Sequence, residues 1–224
     1  MAGTGEARSR TELVYRELHQ RLVHGRFAPN QRLHLADLCA ESGVSLSVVR
    51  EALTRLATQG LVRSEPNRGF YAPDNSITEL ADLAFMRCNI EELAVRRSIE
   101  RGDAAWESSV VAAHHQLTLT PLVSPLVDME ADRRWNLAHR AFHDACAAAC
   151  GSRRLLSIRA RLYDESEIMR QMSELPSRNV AAEHAAILTA IVARDADEAS
   201  RRVRDHIDTT ARLAIASVRS DRAD

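Results

Sequence analysis

Nine histidines stand in this 224-residue chain, and four of them sit in patterns suited to ligand chemistry. His139 and His143 are four apart, so on a helix both imidazoles project from one face. That face continues through Cys146 and Cys150, beside a stripe of Trp135, Ala138, Phe142 and Ala145, and therefore reads as an inward surface. His184 keeps company with Ile187, Leu188 and Ile191, and His206 with Val203, Thr210 and Leu213. A buried imidazole needs partners for its ring nitrogens. Hydrogen-bonded core histidines are one solution. A divalent metal held between facing helices, satisfying several imidazoles at once, is the other. Spacing ties His139 to His143 and leaves the convergence of His184 and His206 open. His114 and His115 are neighbours, diverge by about 100° on a helix, and make a poor chelating pair.

The arginines supply two further candidates. From Gly43-Val44-Ser45 to Leu53 the chain has the make-up of a helix that enters a DNA major groove: a polar first turn and an apolar inner face. Ser45 and Ser47 can cap that helix and touch phosphate, and Arg50 lies about one turn inward. The alternative for Arg50 is an ion pair with Glu51 or Asp37 on a solvated face. Asn67-Arg68-Gly69 forms a turn whose arginine can reach the DNA backbone or minor groove. Arg87 and Glu91 are also four apart. On an exposed face they form a surface ion pair; facing inward, Arg87 becomes a clamp for a carboxylate ligand.

These residues need elements to hold them. Ser9 and Glu12 form a capping box that opens a helix running to about His24, ended by Gly25. A turn at Pro29-Asn30 leads to a short helix over 35–42, stopped by Gly43. Ser45 caps the next helix, in which Val48, Val49, Ala52, Leu53 and Leu56 recur at helical spacing until Gly60. Strands over 61–63 and 69–71 flank Pro66-Asn67-Arg68. Three helices and a β-hairpin in this order make a winged helix-turn-helix over residues 1–74. After a linker at Pro73-Asp74-Asn75, a capping box from Ser76 to Glu79 opens an all-helical bundle over residues 75–224. Its helices are expected at 76–101, 103–118, 128–150, 152–174, 179–194 and 196–218. Gly102, Gly151 and Pro176 punctuate them, Asp195 and Glu198 cap the last, and residues 119–127 form a loop with Pro121 and Pro125. The fold class is mainly α.

Composition sets the outer bounds. Hydrophobic residues make up 45% and charged residues 27%, as in an ordinary globular protein. Aromatics at 4% and an excess of Ala, Leu and Arg favour helix. All 30 basic residues are Arg, the better ligand for phosphate and guanine. Residues 1–74 hold ten Arg against eight acids, within a net charge of −1, so charge alone argues little for DNA. Cys39, Cys88, Cys146 and Cys150 form no CxxC pair. The N-terminus lacks an apolar signal core, and no stretch approaches the roughly 18 apolar residues of a membrane span. A reduced, cytoplasmic protein without a membrane partner is the expectation.

The motifs now on the page resemble a known family. The segments Gly25-Arg26-Phe27-Ala28-Pro29-Asn30-Gln31-Arg32-Leu33, Leu35-Ala36-Asp37-Leu38, Gly43-Val44-Ser45, Val49-Arg50-Glu51-Ala52-Leu53 and Gly60-Leu61-Val62 resemble the DNA-binding domain of GntR-family repressors. The remainder is similar to the FCD ligand domain of the FadR subfamily. It offers Arg87 with Ile90-Glu91, Ala141-Phe142-His143 with Leu155, His184 with Ile187-Leu188 and Ala190-Ile191, then Asp195, Ala199 and His206. The resemblance implies a homodimer that binds a palindromic double-stranded DNA operator and releases it on binding a small carboxylate metabolite. DNA contacts are expected at Arg32, Ser45, Leu46, Ser47, Arg50, Arg68 and Gly69, and effector contact at Arg87. Many members hold a divalent metal through an Asp, a His four residues later, and two further His. His143, His184 and His206 match the three histidines, and His139 stands at the Asp position. An all-imidazole set favours zinc or nickel. Leu46 stands where the family carries Arg, and Val48 where it carries Pro, so the operator is expected to differ from that of typical members.

Two other classes compete with a metabolite-responsive regulator. A metal hydrolase would use the His139–His143 pair, but Arg140 occupies the place of a general-base Glu, and Glu183 beside His184 faces another way. A DNA-binding module whose helical domain only dimerises would have no use for His143, His184 and His206. No phosphate loop or nucleophile motif points to an enzyme.

Overall fold

The fold is given by a computed structural model that describes residues 3–23, 26–58, 61–73, 76–123, 128–172 and 178–221. Gly25, Gly60, Asp74, Asn75, Pro125 and Pro176, expected to end helices or shape turns, lie outside the described residues. By compactness the chain divides into two units. One comprises Met1–Leu83, Arg161–Glu174 and Leu213–Asp224, and the other Ala84–Ala160 and Leu175–Arg212.

In the first unit α1 (Gly3–Val23), α2 (Leu35–Ser42) and α3 (Leu46–Thr58) close around one apolar cluster. Val14, Leu18 and Leu22 of α1 meet Val49, Ala52, Leu53 and Leu56 of α3, all fully or nearly buried. The α2–α3 turn depends on Gly43, whose φ of 64° is the left-handed region that a side chain disfavours, and whose N–H bonds Cys39 O at 2.9 Å. Three short strands follow, β1 (Arg32–Leu33), β2 (Arg63–Glu65) and β3 (Gly69–Tyr71), in the order β1-β3-β2. Arg32 pairs with Tyr71 and Leu33 with Phe70, while Glu65 faces Gly69 across the hairpin. Asn67 at φ 61° and Gly69 at φ 107° turn the hairpin at its tip.

Three local expectations change. α1 begins at Gly3, so Ser9 lies within the helix rather than capping it. Residues 3–8 include Glu6, Ala7 and Arg8, good helix formers that carry the pattern upstream of the capping signal. The first hairpin strand starts at Arg63 because Leu61 and Val62 are buried core residues, with Leu61 N–H bonded to Leu56 O at 3.0 Å. β1 was not expected; two residues cannot show an alternating pattern.

The helical elements of the remaining chain are α4 (Ile77–Arg101), α5 (Ala104–Thr118), α6 (Met129–Ala147), α7 (Arg153–Met172), α8 (Val180–Val192) and α9 (Ala196–Asp221). Each expected helix is present, within a few residues at its ends. Their starts are capped by side chains: Asp103 accepts from Trp106 N–H, Asp128 from Glu130 and Ala131, and Asn179 from Ala182. Asp195 accepts from Glu198 N–H at 2.9 Å and Ser76 from Glu79 N–H at 3.4 Å, the two caps read from sequence. The core of the second unit includes a cluster of Val95, Trp106, Phe142, Ile187, Ile191 and Ile207 with their neighbours, and a smaller one of Ala94, Ala147, Cys150 and Leu155. Trp106 adds a hydrogen bond from Nε1 to Ala145 O at 2.9 Å, which fixes α5 against α6. No helix among the described residues is long and apolar enough to cross a membrane.

Candidate functional site

The exposed chemistry of the first unit follows from the amphipathicity of α3. With Val49, Ala52, Leu53 and Leu56 turned into the core, Leu46, Ser47 and Arg50 face solvent. Leu46 is 51% exposed, open to contact with a thymine methyl. The Ser45 carbonyl accepts from Val48 and Val49 N–H and starts the helix, while Ser45 Oγ lies 2.9 Å from Ser47 Oγ. Arg50 forms no ion pair or side-chain hydrogen bond among the described residues; neither Glu51 nor Asp37 takes it. At the wing tip Arg68 is 77% exposed and only 3.7 Å from Glu65, whose closer partner is Arg63 at 2.7 Å. A Cβ on Gly69 would stand 4.0 Å from Arg32 Nε, so the structure brings Arg32 beside the wing glycine.

The second unit gathers the histidines. His139 and His143 on α6, His184 on α8 and His206 on α9 offer donor atoms that all lie within 4.8 Å of one another. All four residues are buried. The Nε2 atoms of His139 and His143 are 3.1 Å apart, and the indole of Trp135 stacks on His139 with ring centres 4.5 Å apart. His206 Nδ1 meets Glu183 Oε2 at 2.7 Å, and Arg178 grips the same carboxylate from both sides at 2.6 and 2.8 Å. With a proton on Nδ1 donated to Glu183, the lone pair of His206 rests on Nε2.

The electrostatics favour uncharged rings. Burial drives the pKa of His143 well below its ordinary value, and His206 and His184 push the same way. Burial and His206 take His184 down to about 2. His206 is lowered by burial against the opposing pull of Glu183. Burial raises the Glu183 carboxyl, but Arg178 and His206 outweigh it and hold it at about 2. Neutral imidazoles keep the lone pairs that a metal needs. Among the described residues His184 Nε2 is buried without a hydrogen-bond partner, an orphan that a bound ion would satisfy. The residues therefore fit a divalent metal of borderline softness.

Arg87 faces inward. It is 7% exposed, its Nε stands 4.0 Å from Glu91 Oε1, and its charge bears on His143 and His206. Glu91 also accepts from Arg159 Nε at 2.7 Å, and Arg159 reaches on to Asp144. The surface ion pair considered for Arg87 and Glu91 is thus a buried one. Sequence reasoning missed Arg159, Arg178 and the role of Glu183. Glu183 does face away from its neighbour His184, and for that reason it reaches a histidine on another helix. A cavity of about 510 Å³ adjoins the centre, with His184, Trp135, Arg178 and His114 in its wall.

A winged helix-turn-helix with an arginine on its third helix that is unpaired among the described residues, followed by helices that hold a buried imidazole cluster, is the architecture of a DNA-binding transcriptional regulator. Residues 10–72 match the bacterial regulatory proteins of the gntR family, and residues 82–209 match the FCD domain. The chain belongs to the GntR family and carries an FCD domain. It is 36% identical over 209 residues to the HTH-type transcriptional regulator BphR of Paraburkholderia xenovorans, covering 91% of this chain and 84% of that one. It is 32% identical over 204 residues to the HTH-type transcriptional repressor GlaR of Escherichia coli, covering 86% and 90%. The fold is shared with E. coli McbR/YncC, at TM-score 0.70 and 20% identity over 92% of this chain and 96% of that chain. A GntR regulator from a Rhodococcus species gives TM-score 0.67 at 24% identity, over 92% and 97%.

Proposed function

We propose that this regulator is a cytoplasmic, metabolite-responsive repressor that binds a palindromic operator as a homodimer and senses a carboxylate effector beside a metal. The observation that carries the sensor reading is the convergence of four buried imidazoles, with His184 Nε2 unpartnered among the described residues. His139, His143, His184 and His206 would hold zinc or nickel, and the ion, when bound, supplies Lewis-acid positions for a carboxylate oxygen. Glu183 orients His206, Trp135 covers His139 from one side, and Arg87 sets a positive field beside His143 and His206 that favours an incoming anion. We assign DNA binding to residues 1–74 and sensing with dimerisation to residues 75–224.

Ser45, Leu46, Ser47 and Arg50 are the base-reading and phosphate-contacting residues, with Arg32, Arg68 and Gly69 at the wing. A homodimer follows from information content, since one recognition helix reads too few bases for genomic specificity. Repression agrees with GlaR, which is a repressor at 32% identity. Effector occupancy and operator affinity are linked, each changing the other by the same factor. The test is site selection from random DNA, followed by sizing of the complex. A palindromic consensus bound by two copies is expected; a non-repeated site bound by one copy rejects the reading.

A further inference from the structure

The cavity beside the imidazole centre has two kinds of wall. Leu117, Pro121, Leu122, Trp135 and Val180 give it apolar and ring surface. Arg178, His114 and His184 bring nitrogen groups to it, and Arg87 is not part of its lining. At about 510 Å³ it has room for on the order of fifteen waters, each taking about 30 Å³ of liquid. An acid of two to four carbons would leave most of that apolar wall wet, whereas binding sites bury most of their ligand's surface.

The polar groups are placed for more than a carboxylate. Arg178 donates from Nε and Nη2 to Glu183, from Nη1 to Thr210 and from Nη2 to His206 O, which fixes the guanidinium and leaves Nη1 an N–H to give. Among the described residues His114 Nε2 is buried without a hydrogen-bond partner, like His184 Nε2. Yet His114 is not one of the four clustered imidazoles, so a metal there does not satisfy it. Its ring stands edge-on to Phe142, with centres 5.4 Å apart.

We infer that the cavity takes an aromatic carboxylate bearing a hydroxyl or similar ring substituent. The carboxylate that the ion would take also accepts the remaining Nη1 N–H of Arg178, Trp135 packs on the ring as aromatic pairs do, and His114 bonds the substituent. This rests on the sensor reading above and names its ligand class.

Calorimetric titration of the full-length, zinc-loaded protein tests it, with acetate, lactate, benzoate and the three hydroxybenzoates as probes. Benzoate is expected to bind and acetate and lactate not. The best hydroxybenzoate should exceed benzoate by about tenfold, the scale of one added hydrogen bond. His114→Phe, which keeps a ring and loses both nitrogens, should erase that preference, bringing the hydroxybenzoate-to-benzoate affinity ratio to about one. Arg178→Gln should weaken all the benzoates. Acetate or lactate binding as tightly as benzoate, no binding by any benzoate, or a hydroxyl preference that survives His114→Phe overturns the inference. None of these touches zinc uptake, whereas a wild-type protein that takes up no zinc rejects the sensor reading itself.

Discussion

The recognition surface and the imidazole centre are opposites in solvation. Arg50, Leu46 and Arg68 stand in water and need nothing from the protein, so their partner can arrive from outside at little reorganisation. His139, His143, His184 and His206 have been removed from water, and what they meet must come from the protein or from a bound ion. An exposed charge reads out as affinity and leaves folding alone. A buried donor reads out as both, because an unmet polar group in the core costs about 1–3 kcal/mol. The contrast gives each region its own experimental signature.

The strongest way to sharpen it is to delete centre donors. His143→Ala and His184→Ala should each abolish zinc-dependent stabilisation, a gain of about 4 kcal/mol when zinc stands at a thousand times its Kd. Operator binding by the winged domain should persist in both variants. Thermal melts with and without zinc, together with metal analysis after chelator-free purification, decide this. A variant that keeps the wild-type zinc shift removes that histidine from the site.

Acid should break the centre next. In the folded chain the pKa values of His143, His184 and His206 lie below 6.5, the ordinary value they regain on unfolding. Below pH 6.5 the unfolded state therefore binds more protons, and stability falls as pH drops. Above that value the histidines add no slope. With more than one imidazole involved, the metal-free protein should lose more than about 1.4 kcal/mol per pH unit. Urea unfolding from pH 5 to 8 measures the slope. A flat profile from 6.5 to 5 contradicts neutral buried rings.

What was legible in the sequence divides along the same line. The winged fold rests on local signals, the Gly43 turn and the Pro66-Asn67-Arg68-Gly69 tip, and on the 3.6-residue period of α3. The His139–His143 pair is likewise local. Nothing in residue spacing brings α8 and α9 to α6, so His184 and His206 joined the set only through resemblance to a family. Arg178 and Glu183 were illegible because their tie to His206 spans 28 and 23 residues and depends on packing. Arg87 is inward because α4 turns that face to its buried neighbours Cys88 and Glu91, which four-residue spacing alone could not distinguish from a solvated face.

On the exposed side, Arg50→Ala should weaken operator binding by about 1–3 kcal/mol if the guanidinium reads a base, with the melting temperature unchanged. Mobility-shift titration against operator and scrambled DNA separates base reading from charge. An equal loss on both sequences assigns Arg50 to phosphate.

The smallest expected change is at the wing. Arg68 is 77% exposed, and Glu65, 3.7 Å away, is already committed to Arg63, so little holds the side chain in one place. Such an arginine suits a phosphate, whose charge it meets without a fixed geometry, better than a base edge that demands one. Arg68→Ala should therefore lower affinity for operator and random DNA by similar factors. Each phosphate that is no longer neutralised takes about 0.9 off the slope of log affinity against log salt. Titrations across a salt series should show that slope flattening by about one in Arg68→Ala. In Arg50→Ala the specific-to-random ratio should fall instead. A salt slope identical to wild type would show that Arg68 stays off the DNA, and would leave Arg32 and Gly69 as the wing's contact.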